Sequence, residues 1–500
     1  MRIVSKIVVQ RHFRRVCGLL VCLIVLGLST TEAQDRPHKR RKIIETPRDF
    51  PNLVIFLIDT LRADRLGVYG YDGRPTSPRI DELAKESVVF EQAYAPSPWT
   101  LPSVISLASG MYPSEHGTLD DRYGLFDKIR VFGDKLHEVR YRTMCLYTNA
   151  YSGPDFGLGR GFDVLQPLPY ADGAAVSTLF DNYYRSPFYL FIHNIETHTP
   201  HSYAPETPEE GFREISNERR LEIKRLYGEY RSLTRVDFEA DRPLGSTDNS
   251  AEQQACLKGL TDLKTDYSEL YDAALRRADM RVGEVIDELK RRGAWDNTIF
   301  ILLSDHGEEM NEHGGWLHDQ SVYEELIHVP LIIRFPHDAF GGKRISDIVS
   351  LVDISPTLFQ YLGYPKLARS PSGKDLMPLI NGEQADQDPD FRVVSTRINT
   401  KKYYKPWKES RGDINIAVRR GHWKGIWNVE PDTLELYDLS TDPGESKNVS
   451  EENVPLKIAM RLFAKEFWER TTSRAARPTR REGPLNSETQ ENLRALGYLD

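Results

Sequence analysis

The chain has 500 residues, 39% hydrophobic and 28% charged, with 34 Gly, 30 Pro and a formal charge of −8. This is globular composition, long enough for one large domain and a smaller one, and it excludes collagen, coiled coil and wholesale disorder. The acidic balance argues against a general nucleic-acid binder.

In chain order, Arg2, Lys6, Arg11, Arg14 and Arg15 precede an apolar run over 16–28, and Thr31-Glu32-Ala33 resembles a small-x-small cleavage site. That order predicts a signal peptide over 1–33, because the run is shorter than the ~20 residues of a spanning helix, with an uncleaved anchor as the alternative. Residues 34–50 read as a charged linker. The remaining chain is expected to be exported, to a periplasmic, extracellular or lumenal space, without a stable membrane span. Beyond the signal only Cys145 and Cys256 remain, too few for a disulfide framework or a four-thiolate zinc site. Cys145 reads as core, and a single bridge between the two stays open.

Residues 53–58 form a branched apolar run ending in Asp59, which predicts a buried strand delivering an acid at its carboxyl end. Residues 79–87 have helical periodicity, and 88–93 resume a strand. A helix is predicted over 102–109, with Pro102 in its first turn. Segments 143–147 and 188–192 are further apolar strands. The highly charged stretch 206–265 reads as surface helices and a loop without strands. A long amphipathic helix over 267–292, closed by Gly293, leads to a buried strand over 298–303 that runs into Ser304-Asp305-His306. A strand over 329–334 and a helix over 354–362 follow.

Alternating strands and helices predict an α/β fold, with a mostly parallel sheet covered on both faces and ligands gathered at the strands' carboxyl ends. From about 391 the pattern changes. Short strands at 393–396, 414–419, 423–427 and 434–439 and a helix over 454–469 predict a smaller antiparallel α+β unit. We therefore expect a large α/β domain over 51–365, and a C-terminal subdomain and tail over 366–500.

Asp305-His306-Gly307-Glu308 places an acid and an imidazole directly after one buried strand, and Asp59 ends another. Two carboxylates and an imidazole suit a divalent cation such as Zn or Mn. The plainer alternative is a helix cap and a hydrogen-bonded histidine.

Longer segments extend this pattern: VIFLIDTLRADRLGVYG (54–70), SPWTLPSVISLASGMYP (97–113), TNAYSGPDFGLGRGFD (148–163), FIHNIETHTPH (191–201), DNTIFILLSDHGEEMNEHGGWLHDQSVYEELIHVPLIIR (296–334), LVDISPTLFQYLG (351–363), ELYDLSTDPGESKNV (435–449) and LRALGYL (493–499). In this order and spacing they resemble the sulfatase family of the alkaline phosphatase superfamily over most of 52–499. The resemblance implies an alkaline phosphatase-like central sheet flanked by helices, a C-terminal antiparallel sheet, and a metal beside a nucleophile at the start of the Pro-containing helix. In sulfatases that nucleophile is the first residue of Cys/Ser-x-Pro-x-Arg, converted to formylglycine. Here the segment is Thr100-Leu101-Pro102-Ser103-Val104, with Thr at the nucleophile position and Val104 in place of Arg. Thr60 also stands where calcium-type sulfatases usually carry a second acid.

Asp59, Thr100, Asp305 and His306 resemble the metal set of Thr-nucleophile relatives, such as nucleotide pyrophosphatase/phosphodiesterases and phosphoethanolamine transferases. The resemblance thus implies one divalent cation (Zn, Mn or Ca), the imidazole favouring a transition metal. Thr100 is the implied nucleophile, though Thr also suits a helix N-cap. His198 and His318 align with family histidine or lysine positions and are expected to contact substrate oxygens or protonate the leaving group. His201, His313 and Lys424 are added as substrate-binding candidates. His313 also suits a turn, and Lys424, in RRGHWKGIW, also suits a structural place. Arg62 and Arg65 are read as ion-paired, with anion binding the minor alternative. The implied activity is hydrolysis of a small-molecule, lipid or glycan ester of sulfate or phosphate. The alternatives are a Thr-dependent phosphodiesterase or phosphotransferase, and a non-catalytic anion- or glycan-binding protein.

Overall fold

The central sheet is built from runs that are apolar on both sides, and in the computed structural model both of its faces are covered. Described are residues 50–120, 122–199, 201, 210–234, 236–237, 242–243, 251–383, 391–398, 414–476, 479–480 and 485–496. The expected signal peptide and nearly all of the linker lie outside them. The sheet contains Asn52–Ile58 (β1), Val88–Tyr94 (β2), Arg142–Tyr147 (β3), Val164–Pro167 (β4), Phe188–Asn194 (β5), Thr298–Leu303 (β6), Leu331–Arg334 (β7) and Lys343–Ser350 (β8). Their order is β8-β2-β7-β6-β1-β5-β3-β4. All pairings are parallel except those of β7, which is antiparallel to β2 and β6.

Alternate residues of β1 enter different core layers. Val54, Phe56 and Ile58 pack with Ile80 and Leu83 of helix Pro78–Lys85 (α1) and with Leu270, Leu275 and Val282 of the long helix Lys264–Arg291. Leu53, Ile55 and Leu57 pack with Leu101 and Ile105 of Thr100–Ser109 (α2) and with Leu358 and Phe359 of Ile354–Tyr361. Each fully buried large apolar side chain contributes about 1.5–3 kcal/mol, so these two layers supply the main driving force for the fold. Helix α2 ends where Gly110 takes a left-handed conformation (φ 74°) that other residues adopt only with strain.

The second sheet is antiparallel throughout: Arg392–Ile398 (β9), Ile414–Arg420 (β10), Trp423–Asn428 (β11) and Thr433–Asp438 (β12), paired in sequence. Helix Val454–Ser473 (α3) covers it, with Met460, Ala464 and Phe467 packed on Ile416, Val418, Trp427 and Leu436. The fold class is therefore the one expected.

Several details differ from the sequence reading, among them the unexpected strand β4 and the helix Gly173–Tyr183. The charged region 206–265 carries helices Asn217–Thr234 and Ala251–Asp262, but also two-residue strands at Val236–Asp237 and Arg242–Pro243. The strand expected from 329 starts at Leu331, because Pro330 has no N–H for a ladder. Strand β8 was not expected: its KRISDIVS pattern is polar, as suits a sheet edge that must not recruit further strands. Cys145 and Cys256 are both free and buried. Among the described residues no helix is long and apolar enough to cross a membrane.

Candidate active site

The carboxyl ends of β1, β5 and β6 lie side by side, with Leu57 opposite both His193 and Leu303. Leu57, Phe191 and Leu303 face the core layer that contains helix α2. Side chains alternate along strands, so Asp59, His193 and Asp305, each two residues further on, come to that same side. Their ligand atoms all lie within 4.8 Å of one another. Thr100 is the first residue of α2, with Trp99 in the cap position and no side-chain cap bond. Its hydroxyl instead meets the cluster, with Oγ1 3.2 Å from His306 Nε2.

Several bonds hold these chain segments in place. Ser103 Oγ donates to the Asp305 carbonyl at 2.6 Å, which ties α2 to the acid. Ser304 Oγ accepts from Leu61 N–H at 2.8 Å and donates to the His306 carbonyl at 2.7 Å, joining the ends of β1 and β6. Thr60 is buried in the left-handed region (φ 58°), a strained conformation of the kind found at functional sites. Tyr271 OH holds it by donating to the Thr60 carbonyl at 2.8 Å. At Gly307 an added Cβ would come within 2.0 Å of the Glu325 carbonyl oxygen, so only glycine lets the turn after His306 pack there.

The donor atoms converge around His306 Nε2. Asp59 Oδ1 is 3.4 Å from it and Asp305 Oδ2 3.5 Å. Both oxygens are buried without a hydrogen-bond partner. His306 Nδ1–H donates to the Gly307 carbonyl at 2.8 Å, which leaves the Nε2 lone pair turned inward. The two carboxyls are pushed apart in acidity. Burial raises Asp59, but its hydrogen bond to His193 and the neighbouring His198 and His306 outweigh that and hold it well below the carboxylate range. Burial and the charge of Asp59 push Asp305 well above it. Two orphaned carboxylate oxygens, one imidazole lone pair and a hydroxyl are a donor set that fits a small divalent cation, which would give both orphaned oxygens a partner.

His318 and His198 line one side. The His318 ring centre is 4.6 Å from that of His306 and 5.2 Å from that of His198. His318 Nδ1 faces Glu308 Oε1 at 3.3 Å, and His198 Nδ1–H donates to the Thr199 carbonyl at 2.6 Å. Glu308, fully buried and raised in pKa by that burial, also accepts from Thr199 Oγ1 at 2.8 Å. His201 is buried one layer out, edge-on to Tyr267 (4.7 Å) and Tyr271 (5.6 Å), and burial pushes its pKa down to about 3.

Two candidates lie elsewhere. Lys424, in β11, is fully buried between Glu324 (3.0 Å) and Glu445 (2.8 Å). His313 stacks on Tyr323 at 3.6 Å and pairs with Glu325 Oε1 at 2.7 Å, while its Nε2–H meets the Glu445 carbonyl at 3.3 Å. The two belong to one ionic layer against the second sheet, and their charges are spent on these acids rather than on an incoming anion. Arg62 is buried, pairing with Asp64 (2.8 Å) and Glu312 (2.7 Å), and Arg65 pairs with Asp272 (3.2 Å). The sequence reading passed over His193, Asn149, Ser152 and Glu308. The first had a usable signal, since FIHN ends a buried strand just as FLID and LLSD do.

Buried acids, an imidazole and a helix-borne hydroxyl thus meet at the carboxyl edge of a mostly parallel sheet, where α/β folds bind their ligands, and comparisons with known proteins place this fold and site among alkaline phosphatase-like ester hydrolases. The sulfatase family profile matches residues 51–364, and that of the N-sulphoglucosamine sulphohydrolase C-terminal region matches 311–471. The chain belongs to the sulfatase family and is a sulfatase-like ester hydrolase. It is 24% identical to arylsulfatase K of Xenopus laevis, covering 87% of this chain and 85% of the relative. It is also 24% identical to N-acetylglucosamine-6-O-sulfatase of Bacteroides thetaiotaomicron, covering 86% of each. A 2-O GAG sulfatase structure aligns with TM-score 0.62 at 20% identity, over 88% of this chain and 99% of that one. A phosphonate monoester hydrolase of Agrobacterium radiobacter aligns with TM-score 0.60 at 19% identity, over 85% and 95%.

Proposed function

We propose that this chain is an exported hydrolase of sulfate or phosphate esters, in which Thr100 is the nucleophile beside one divalent cation held by Asp59, Asp305 and His306. The observation that carries the reading is the 3.2 Å approach of Thr100 Oγ1 to His306 Nε2, where two buried carboxylate oxygens lack partners. When bound, a divalent cation supplies Lewis acidity that lowers the pKa of a nearby hydroxyl. Thr100 Oγ1, its proton released to solvent, would bond to sulfur or phosphorus as the bond to the ester oxygen breaks, and the departing alkoxide would take a proton from His198 or His318, which regains one from solvent. The N-terminus of α2 stabilises the anion's oxygens. Water then attacks the Thr100 ester in line, releasing inorganic sulfate or phosphate and restoring the hydroxyl.

Relatives named for N-acetylglucosamine-6-O-sulfate and 2-O glycosaminoglycan sulfatase activity support a glycan ester as substrate. The basic and apolar order of residues 1–33 supports export. Thr100 itself favours a second reading, phosphodiester hydrolysis or phosphoryl transfer, because a threonine ester cannot collapse to an aldehyde as a formylglycine sulfate does. Nitrophenyl sulfate, phosphate and phosphodiester, each assayed with Mn or Zn, separate the two readings. A covalent adduct mapped to Thr100 by mass spectrometry is the expected result. Undiminished turnover by Thr100→Ala rejects the nucleophile, and no turnover of any ester by a metal-loaded protein favours a binding protein.

A further inference from the structure

The loop that follows β3 reaches Asp59 directly through buried Asn149, and through Ser152 by way of His193 on β5. Asn149 Nδ2 donates to Asp59 Oδ2 at 2.8 Å, and the amide cannot be flipped because its Oδ1 accepts the Tyr151 N–H at 3.0 Å. His193 Nε2 lies 3.2 Å from the same oxygen. A carboxylate that ligates a cation is deprotonated and can only accept, so beside such a ligand His193 Nε2 is the donor to Oδ2. Its Nδ1 lies 2.6 Å from Ser152 Oγ, the contact that fixes the ring. The loop is anchored from both sides. Thr148 Oγ1 donates to the His193 carbonyl at 2.6 Å, Asn492 Nδ2 donates to the Thr148 carbonyl at 2.7 Å, and Asn492 Oδ1 accepts from Ala150 N–H at 2.9 Å.

We infer that His193, oriented by Ser152, is a positioning residue that together with Asn149 occupies Asp59 Oδ2, so that Asp59 offers the cation one oxygen, Oδ1. The inference rests on the metal site proposed above. Its physical content is a choice between two roles for His193. Its ligand atom clusters with those of Asp59 and Asp305 closely enough for coordination. Yet the nitrogen facing Asp59 spends its hydrogen on Oδ2 and has no lone pair to give. Histidine and amide donors of this kind orient a carboxylate ligand, and losing one costs 10- to 100-fold in metal affinity. One-oxygen presentation also shapes metal choice. Calcium takes six to eight oxygens and often a bidentate carboxylate, whereas zinc and manganese sites accept a single oxygen beside an imidazole. Asp59 locked by two donors therefore disfavours calcium.

The test is direct titration of the purified, metal-stripped protein with Zn, Mn and Ca, with the thermal midpoint of the apo form as a folding check. His193→Phe is expected to bind Zn and Mn about 10- to 100-fold more weakly, with a smaller change for Ca, narrowing the preference. His193→Gln, which keeps a donor, restores most of the affinity. Ser152→Ala, a milder change, moves affinity in the same direction should the Phe variant fold poorly. Wild-type affinity in both His193→Phe and Ser152→Ala overturns the positioning role. Equal loss in His193→Phe, His193→Gln and Asp305→Asn overturns it in the other direction, because His193 is then itself a ligand. A wild-type protein that binds none of the three cations overturns the metal reading and removes the basis of this inference, an outcome distinct from the other two.

Discussion

At the edge of the central sheet, Asp59 Oδ1 and Asp305 Oδ2 are buried without a hydrogen-bond partner. Against the second sheet, Lys424 is buried just as fully but sits between Glu324 and Glu445 at ion-pair distance, with His313 and Glu325 paired beside it. Both clusters are rich in acids and imidazoles, and both were credited with binding from sequence. Lys424 Nζ, Glu324 Oε1 and Glu445 Oε1 also lack a hydrogen-bond partner, so the difference lies in charge: a lysine stands between the two acids of the second cluster, and none stands between Asp59 and Asp305 among the described residues. In the ionic layer, opposite charges meet inside the protein and fix how the turn at 324–327 rests on β11. At the sheet edge two carboxyls converge and are met only by histidines among the described residues, each keeping one oxygen without a hydrogen-bond partner. Burial of charge is common to structural and functional clusters, whereas an incomplete charge balance marks only the second kind.

Four measurements break or sharpen this contrast. The largest effect is expected from Thr100→Ala, with kcat/KM falling by about 10³-fold or more while the thermal midpoint barely moves. Residual activity within tenfold of wild type would make the sheet edge another structural cluster. Chelation comes next: metal at a hundredfold excess over its Kd stabilises by about 2.7 kcal/mol, so stripping it lowers the melting midpoint and abolishes turnover. Asp305→Asn should remove that metal-dependent shift, and the Lys424 variant should retain it.

Lys424→Met is expected to do the reverse, destabilising by about 3–5 kcal/mol because Glu324 and Glu445 lose their countercharge, while metal affinity and KM stay unchanged. A raised KM in a folded Lys424→Met protein would return that lysine to the substrate pocket. The smallest effect concerns pH. Burial opposes the charge on His313, but its pairing with Glu325 prevails and lifts the pKa from 6.5 to about 9. A raised histidine binds its proton more tightly when folded, so its contribution to stability is full below about pH 6.5 and is lost as pH rises through about 9. Melting curves of wild type and His313→Gln should therefore converge between pH 6.5 and 9. Parallel curves across that window would show that the pair contributes nothing to the ionic layer.

Much of this was readable without coordinates. A continuous apolar run that stops at an acid is a local signal, and it located the ends of β1 and β6 with Asp59 and Asp305. Period and turn residues likewise outlined the second sheet and its helix. The resemblance carried Thr100 and His306 to the same point, and the structure brings their side chains within 3.2 Å. It did not separate His313 and Lys424 from the pocket, because a motif preserves order along the chain and says nothing of which layer each side chain enters.

The amino-acid sequence by itself determined the two kinds of sheet, the acids at the strand ends and the Pro-containing helix that Thr100 opens, since each depends on neighbours a few residues away. Only the tertiary structure decided that His193, 134 residues from Asp59, meets it across parallel strands, and that Lys424 and His313 are already neutralised. Register between distant strands is set by how whole layers pack, and charge balance depends on every group within a few ångströms, so neither property is carried by any one stretch of chain.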